Sequence, residues 1–369
     1  MRSSLRASAA LSVAACVLAA CTSGAASPSA SSAAPVTATP AAPASAAGSP
    51  AGSAAGSAAA SQPAASVAAS PIEVKKVSLQ LDFTISGSSG GLLWGIDKGY
   101  FKDAGIDLDV IPGRGSDLAL NQIDSGNVDF AMLDGSNYVE ARSQNLTKTT
   151  ALYAFQNIST TAIASKVQIN DPKDMVGKSF GTVAQSSGRT KIPLVLKNNG
   201  VDPKTTPIEL MDFSVLYPTL FEGKIDTAEV GVPGSWEGAF IAAKGQGLTL
   251  YVKLISDWGY RDYSKLLIAS DKVISENPDL VKRMVGAIDK SQNDAIANAT
   301  GDQIYELVKK VDPQVEKDAA TLTWEDVRKY IKNPGPMDDE TFQFQLQQLE
   351  KPSTMKPSDL YTNEYIPAH

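Results

Sequence analysis

Two short runs rich in serine and glycine carry the side chains best suited to binding a small molecule. Ser88-Ser89-Gly90 and Ser186-Ser187-Gly188-Arg189 each follow a strand-like segment and precede a helix-like one. Backbone N–H groups at the start of a helix, together with serine hydroxyls, bind anionic or carbonyl oxygens. The guanidinium of Arg189 suits a carboxylate, sulfonate or nitrate group, because it donates two parallel hydrogen bonds. The sequence therefore predicts an oxygen-binding turn in each run.

Each of these features also has a purely structural interpretation. One serine of a turn can be the N-cap of the helix that follows, and Arg189 can be a solvated surface residue. The same two interpretations apply to Arg114, which opens another strand-to-helix turn. Its run, Gly113-Arg114-Gly115, is not a dinucleotide-binding fingerprint, because Leu118 stands at the third glycine position.

Further candidates follow other predicted strands or flank loops. Asp134 either accepts a hydrogen bond from an amine or hydroxyl of the ligand or caps a helix. Aromatic rings beside loops cover the flat or methylene part of an organic ligand, although packing also explains each of them. The remaining predicted ligand-binding residues are Phe83, Thr84, Ser136, Phe155, Phe213, Pro233, Trp236 and Trp258.

The candidates are carried by two units with the same order of elements. A strand, a Ser/Gly turn, a helix, a glycine and a second strand span residues 77–111, and the order recurs over 179–211. The second half of each unit also matches, which places Asp129 opposite Asp226. Two βαβ-rich units of one plan predict a two-lobed α/β fold.

The segments between and after the units indicate how the lobes connect. Residues 150–155, 161–165 and 265–270 have extended patterns at the unit boundaries, and the chain is helix-like beyond residue 277. We therefore assign residues 71–158 and 266–369 to the first lobe and 159–265 to the second. The tail after residue 352 is loop-like, and we expect it to lie against the body.

The N-terminal 70 residues are predicted to be a processed leader and a spacer. Arg2 and Arg6 precede an apolar stretch too short to span a bilayer, as in a signal peptide covering residues 1–21. Its end, Leu18-Ala-Ala-Cys21, resembles a bacterial lipobox, which makes Cys21 the lipidated first mature residue; an ordinary cleavage site is the alternative. Residues 22–70 hold no charged or aromatic residue and are predicted to be a disordered tether, with a root-mean-square reach of about 40 Å.

The balance of charged residues and the positions of the cysteines and the histidine exclude several classes of protein. Removing Arg2 and Arg6 leaves 31 of 33 basic residues against 40 acidic ones, and no basic run is present, so nucleic-acid binding is not expected. Cys16 and Cys21 precede the folded region, and the only histidine is His369. A Cys–His or histidine-based catalytic site and the common zinc sites are therefore not expected, and no cofactor is predicted.

Four stretches resemble a known family. They are residues 79–84, 99–110, 125–130 and 360–366, and the run from Gly99-Tyr-Phe to Ala104-Gly-Ile106 is the most specific. They are similar to ABC-transporter solute-binding proteins of the nitrate, alkanesulfonate, taurine and thiamine-pyrimidine-precursor group. The resemblance implies a type II periplasmic binding-protein fold that closes on its ligand like a hinge, without catalysis. It also implies a permease and an ATPase as partners. The lipobox predicts a lipid anchor on the extracytoplasmic face of the cell membrane, and two lobes joined by two segments predict a monomer that closes on its ligand.

One departure from this family bears on the ligand. Pyrimidine-precursor members often carry Trp-Thr-Pro followed by a histidine, where this chain has Phe83-Thr84-Ile85 and then Ser88-Ser89. Together with Arg189, this favours a small organic or inorganic anion of the sulfonate, carboxylate or nitrate class. A neutral heterocycle and a surface sensor module are the alternatives. Pyrimidine-synthesising enzymes resemble the family as well, but they depend on a histidine and a cysteine-rich motif that this body lacks.

Overall fold

Two five-stranded sheets organise residues 73–184 and 186–368, the part of the chain that the computed structural model describes. The predicted signal peptide, Cys21 and the tether lie outside these residues. The strands are β1 (Lys75–Gln80), β2 (Ile106–Ile111), β3 (Phe130–Leu133), β4 (Thr149–Gln156), β5 (Thr161–Ser165), β6 (Phe180–Thr182), β7 (Ile208–Leu210), β8 (Thr227–Gly231), β9 (Tyr251–Leu254) and β10 (Lys265–Ser270).

Helices connect the strands and form most of the C-terminal third of the described chain. The longest, α9, begins at Pro278, as expected from the fixed φ angle of proline at a first helical position. The helices are α1 (Gly90–Asp97), α2 (Tyr100–Asp103), α3 (Ser116–Asp124), α4 (Gly135–Ser143), α5 (Gly188–Asn198), α6 (Phe213–Glu222), α7 (Trp236–Gly245), α8 (Asp271–Glu276), α9 (Pro278–Asn298), α10 (Gly301–Val311), α11 (Lys317–Tyr330) and α12 (Asp339–Gln347).

The two sheets have the same topology. The first has the order β2-β1-β3-β10-β4 and the second the order β7-β6-β8-β5-β9. In each, three parallel strands are followed by a strand that runs antiparallel to them, β10 in the first sheet and β5 in the second. We call the first sheet with α1–α4 and α8–α12 the first lobe, and the second sheet with α5–α7 the second lobe. The predicted two-lobed α/β fold is confirmed.

A matched serine–aspartate pair shows that the sequence repeat is structural. In the first lobe the Ser78 backbone N–H and hydroxyl both donate to Asp129 Oδ2, at 2.8 and 2.9 Å. In the second lobe Ser179 donates to Asp226 Oδ2 in the same way, at 2.8 and 3.0 Å. In both units these hydrogen bonds join the first strand, or the residue just before it, to the turn that precedes the third strand. The predicted alignment of Asp129 with Asp226 is therefore confirmed.

The chain crosses between the lobes twice. It leaves the first sheet after β4 and enters the second at β5, and it returns from β9 through a 3₁₀ turn, Ile255–Trp258, to β10. The crossings touch, because the Thr160 backbone N–H donates to Ser264 Oγ at 2.6 Å. β10 starts at Lys265, one residue before the predicted return to the first lobe. Two adjacent crossings form a natural hinge.

Helices α9, α10 and α11 pack on one face of the first sheet, and α12 packs on the other. Leu280 and Met284 of α9 are buried, as their spacing predicts, and Trp324 of α11 is fully buried in the same cluster. Fully burying one large apolar side chain contributes about 1.5–3 kcal/mol. The predicted position of the tail is also confirmed, since Leu360 is fully buried and Tyr361 pairs with Ala151 of β4.

Candidate functional site

A cavity of about 410 Å³ lies between the lobes. It forms where the carboxyl ends of β1 and β3 face those of β6 and β8, the edge at which open α/β sheets bind ligands. Its volume is in the range of small-molecule sites. The first lobe and the crossings contribute Asp82, Phe83, Thr84, Ser86, Ser88, Arg114, Gly115, Ser116, Asp134, Asn137, Thr160, Ser264 and Lys265. The second lobe contributes Thr161, Val183, Ser186, Ser187, Phe213, Leu216, Tyr217, Glu229, Val230, Gly231, Pro233, Gly234 and Ser235.

On the first-lobe side, charged groups flank a short 3₁₀ turn. Asp82 follows β1 and forms an ion pair of 2.7 Å with Lys265 at the start of β10. The 3₁₀ turn before α1 is capped by Ser86, whose hydroxyl accepts from the Ser88 backbone N–H. Arg114 is exposed at the edge of the cavity. This side therefore offers a guanidinium, hydroxyls and a paired carboxylate.

On the second-lobe side, a glutamate of β8 occupies the start of α5. Glu229 Oε1 accepts from the Gly188 backbone N–H at 3.0 Å and from Ser186 Oγ at 2.5 Å. Its Oε2 accepts from the Thr182 hydroxyl. A Cβ at position 188 would lie 2.3 Å from the carboxyl carbon of Glu229, so glycine is what allows this approach. Burial raises the pKa of Glu229, and the hydrogen bonds from Ser186 and Thr182 oppose that rise.

Beneath the cavity, Lys191 of α5 joins the two lobes. Its side chain is fully buried, and Nζ lies 2.7 Å from Asp134 Oδ2 of the first lobe and 2.5 Å from Asp262 Oδ2 of the second crossing. Thr161 Oγ1 lies 3.5 Å from the same nitrogen. Burial alone would lower the pKa of Lys191, but Asp134 and Asp262 raise it above its usual range. Lys191 is therefore charged, and its three donors point to these three oxygens.

A second contact between the lobes lies at the start of α7. Glu237 is 1% exposed, and its Oε2 accepts from the Gly234 backbone N–H at 3.0 Å and from Thr323 Oγ1 of α11 at 3.3 Å. The Asp326 carboxyl, also on α11, lies beside it. Burial, and then Asp326, raise the pKa of Glu237 to about 7. Two carboxyl groups thus meet where the second lobe packs against the first.

Aromatic rings meet at the edge of the cavity. Phe83 of the first lobe and Phe213 of the second pack edge to face with ring centroids 6.1 Å apart, although each is nearly half exposed, at 47% and 45%. Phe213 also packs against Tyr217 at 5.4 Å. The lobes are therefore in contact on this side, and apolar surface is available to a ligand.

The structure brings together many of the predicted site residues. Asp134 caps α4 through the Ser136 backbone N–H at 2.8 Å, which is one of the two roles that the sequence left open, and its Oδ2 accepts from Lys191 Nζ at 2.7 Å. Contact of Asp134 with a ligand stays a prediction. The predicted residues that line the cavity are Phe83, Thr84, Ser88, Arg114, Asp134, Ser186, Ser187, Phe213 and Pro233.

Other predicted residues lie behind the lining. Ser136 donates to Asp262 at 3.1 Å, and Gly90 lets α1 pack against Ile304 and Trp324. Ser89 and Phe155 border a separate hollow of about 20 Å³. Gly188 contacts Glu229, as described above.

Three predicted residues with large side chains also lie outside the lining. Arg189 is exposed to solvent. Trp236 packs on Phe240 with ring centroids 5.5 Å apart, and the Trp258 indole donates to the Asn170 carbonyl at 3.1 Å. Direct ligand contact by these residues stays a prediction from the sequence.

Sequence reasoning missed the charged residues that organise the site. Glu229 interrupts an apolar strand, and Lys191 precedes the apolar run of a helix; both positions are weak signals of a buried polar role. Asp82 follows a strand, as Asp134 does, so the rule that ligands bind at the carboxyl ends of parallel strands could have identified it. Asp262, by contrast, stands in a loop without a recognisable pattern.

The described residues contain neither a membrane-spanning helix nor a metal-binding cluster. Within residues 73–184 and 186–368, no helix is both long and apolar enough to cross a membrane. The same residues contain no group of three or more histidine, cysteine, aspartate or glutamate side chains arranged to hold a metal ion.

A two-lobed α/β body with a cavity between its lobes is the fold of periplasmic binding proteins, and solved structures share this fold. A protein of Bordetella bronchiseptica RB50 superposes with a TM-score of 0.61 and 16% identity, covering 79% of this chain and 95% of its own. The periplasmic aliphatic sulphonate binding protein SsuA of Escherichia coli superposes with a TM-score of 0.57 and 12% identity, covering 76% and 86%. The expected type II fold is confirmed.

The sequence places the chain in a family. Residues 87–300, more than half of the chain, match the NMT1/THI5 like family, and the chain belongs to it. A binding protein of Brucella abortus (strain 2308) is 22% identical over 205 residues, which cover 55% of this chain. The match spans 61% of the length of that relative.

Proposed function

We propose that this chain is the solute-binding component of an ABC importer, which captures a small molecule between its lobes and delivers it to the permease. The observation that carries the proposal is the cavity of about 410 Å³ with lining residues from both lobes. A solute in this position contacts both lobes at once, so it stabilises the closed arrangement over the open one. The proposal assigns binding to the site and no catalysis.

The ligand class predicted from the sequence is a small organic or inorganic anion. In support, Arg114 and the serines before α1 supply a guanidinium and hydroxyls on the first-lobe side. The alternative, a neutral heterocycle, is supported by apolar and aromatic lining on the second-lobe side, namely Phe213, Leu216, Tyr217 and Val230. Both classes fit the volume of the cavity.

The remaining parts of the proposal rest on the sequence. We infer a lipid anchor at Cys21 on the extracytoplasmic face of the cell membrane, and a monomeric body. An importer also requires a permease and an ATPase, and genes for these next to the gene for this chain would favour transport. A neighbouring histidine kinase would favour the sensor alternative.

The direct test is a thermal-shift screen of the purified protein with nitrate, taurine, alkanesulfonates, aromatic and aliphatic carboxylates and pyrimidines. A ligand at about a hundred times its dissociation constant adds about 2.7 kcal/mol to the free energy of unfolding. Small-angle scattering of the same samples should show a smaller radius of gyration than the ligand-free protein. If no solute raises the melting temperature and the scattering never changes, the proposed function is wrong.

A further inference from the structure

At three places beside the cavity, backbone N–H groups at or just before the start of a helix already donate to carboxylates of the chain itself. The Gly188 N–H at the start of α5 donates to Glu229, the Gly234 N–H, two residues before α7, donates to Glu237, and the Ser136 N–H of α4 donates to Asp134, the N-cap of that helix. Such N–H groups are what an oxyanion would otherwise bind, since they carry the positive end of the helix dipole. A ligand oxyanion would have to displace one of these carboxylates or bind elsewhere.

The charges of the lining residues also argue against binding of an oxyanion on the second-lobe side. Among the lining residues, Asp82, Asp134 and Glu229 carry carboxylates, whereas Arg114 and Lys265 carry the cationic groups. Lys265 is held by Asp82 at 2.7 Å, which leaves the exposed Arg114 as the cation of the lining without a carboxylate partner among the described residues. Both cationic groups belong to the first-lobe side.

Among the lining residues of the second lobe, Glu229 carries the carboxylate, beside the hydroxyl groups of Ser187 and Tyr217. Glu229 receives three hydrogen bonds from Thr182, Ser186 and Gly188, whereas a carboxylate has about four acceptor positions. Its side chain lines the cavity next to the apolar residues Leu216 and Val230. An acceptor beside apolar surface suits a solute with an N–H or O–H donor on an apolar body, because the donor would otherwise be buried unpaired.

We propose that Glu229 determines the specificity of the cleft by selecting solutes whose N–H or O–H donors reach the second lobe and by discriminating against oxyanions there. The inference rests on the proposed binding function and narrows its ligand class. It also explains why a glycine stands at position 188, since a side chain there would exclude the Glu229 carboxylate from the start of α5.

Four solutes with one shared body test the proposal. Benzamidine, benzamide, benzoate and benzenesulfonate all place a phenyl ring on the apolar side and differ in the group offered to Glu229. We expect calorimetry on the purified protein to show at least tenfold tighter binding of benzamidine and benzamide than of the two anions. Glu229→Gln should weaken benzamidine binding about ten- to a hundredfold, which is the range of a charge-assisted hydrogen bond. The exposed Glu209 of β7 provides the control, and Glu209→Gln should leave all four affinities unchanged.

The outcomes separate this inference from the proposed function. Equal or tighter binding of either anion by the unaltered protein overturns the inference, as does an unchanged ranking in a folded Glu229→Gln variant. If none of the four binds, native mass spectrometry after incubation with a bacterial metabolite extract decides. A captured solute that has donors and no acid group supports the inference. A captured carboxylate, sulfonate or phosphate overturns the inference and leaves the proposed function standing. Failure to capture any solute overturns the inference and the proposed function together.

Discussion

Lys191 of the second lobe and Asp134 of the first are joined by an ion pair of 2.7 Å beneath the cavity, and Asp262 of the crossing segment binds the same ammonium at 2.5 Å. The Lys191 and Asp262 side chains are fully buried, and that of Asp134 is 16% exposed. Because Asp134 also lines the cavity, a residue that contacts the ligand space is held in place by the opposite lobe.

Replacing Lys191 by methionine should lower the free energy of unfolding by about 3–5 kcal/mol, since it leaves two carboxylates buried without their cation. Urea unfolding followed by circular dichroism measures the loss. Lys197→Met, at an exposed position on the same helix, should change stability by less than about 0.5 kcal/mol. Adding Asp134→Asn and Asp262→Asn to Lys191→Met should recover part of the loss. A loss below about 1 kcal/mol for Lys191→Met alone would contradict the role of this ion pair.

The carboxyl pair of Glu237 and Asp326 predicts that stability falls as the pH rises. Burial and Asp326 raise the pKa of Glu237 to about 7, whereas an unfolded glutamate titrates near 4.3. Between these values the folded protein holds more protons than the unfolded chain, so stability decreases with pH through this window and then levels off. The loss should be up to about 4 kcal/mol, at 1.36 kcal/mol per pH unit.

Melting temperatures from pH 4 to pH 8.5 measure this dependence. The other titratable groups near the pair are Tyr217 of α6 and Lys329 of α11, and neither has its usual pKa in this window. Glu237→Gln should therefore flatten the profile between pH 4.5 and 7, and Glu306→Gln, at an exposed position on α10, should leave it unchanged. A slope that is unchanged in Glu237→Gln would assign the dependence to other groups, such as Glu229, whose pKa burial also raises.

Replacing Arg114 and replacing Arg189 should have different effects on the affinity for an anionic ligand. Arg114 lines the cavity and Arg189 does not, so Arg114→Ala should weaken binding of an anionic ligand about tenfold or more, with Arg189→Ala within twofold of the parent. Calorimetry with any anion found in the solute screen measures both. If Arg189→Ala instead weakens binding ten- to a hundredfold, the prediction from the sequence holds and the guanidinium reaches the ligand in solution.

The lipobox prediction concerns residues outside the described structure. Cys21→Ala should move the protein from the membrane fraction to the soluble fraction, because the thiol that would carry the lipid is lost. Ligand binding should be unaffected, since the predicted tether separates Cys21 from the body. Fractionation of cells producing either form measures this, with Cys16→Ala as the control. A Cys21→Ala protein that stays with the membrane would defeat the assignment.

The two-lobed fold could be predicted from the sequence because its signals are local and repeated. Ser78 and Asp129 recur as Ser179 and Asp226 at matching positions, and the same hydrogen bonds form in each lobe. A repeat of this kind gives the strand order of one lobe once the other is known. The ends of the parallel strands then indicate where a ligand binds, which is why Asp134 was identified.

The charged contacts could not be predicted because they depend on which surfaces of the two lobes meet. Glu229 and Gly188 are 41 positions apart, and Lys191 lies 57 positions from Asp134. No periodicity in the sequence records such a pairing, and a lysine that precedes an apolar run is usually a solvated residue. Arg189 shows the converse, because a helix start suggests an anion site whether or not a carboxylate of the chain already fills it.

The position of β10 in the first sheet determines which lobe can complete its fold first during synthesis. β10 lies between β3 and β4, and it is made only after the whole second lobe has been synthesised. The second lobe is one continuous piece whose two ends already meet at Thr160 and Ser264. During vectorial synthesis, in which domains fold as units, the second lobe can therefore reach its native state while the first still exposes a gap in the middle of its sheet.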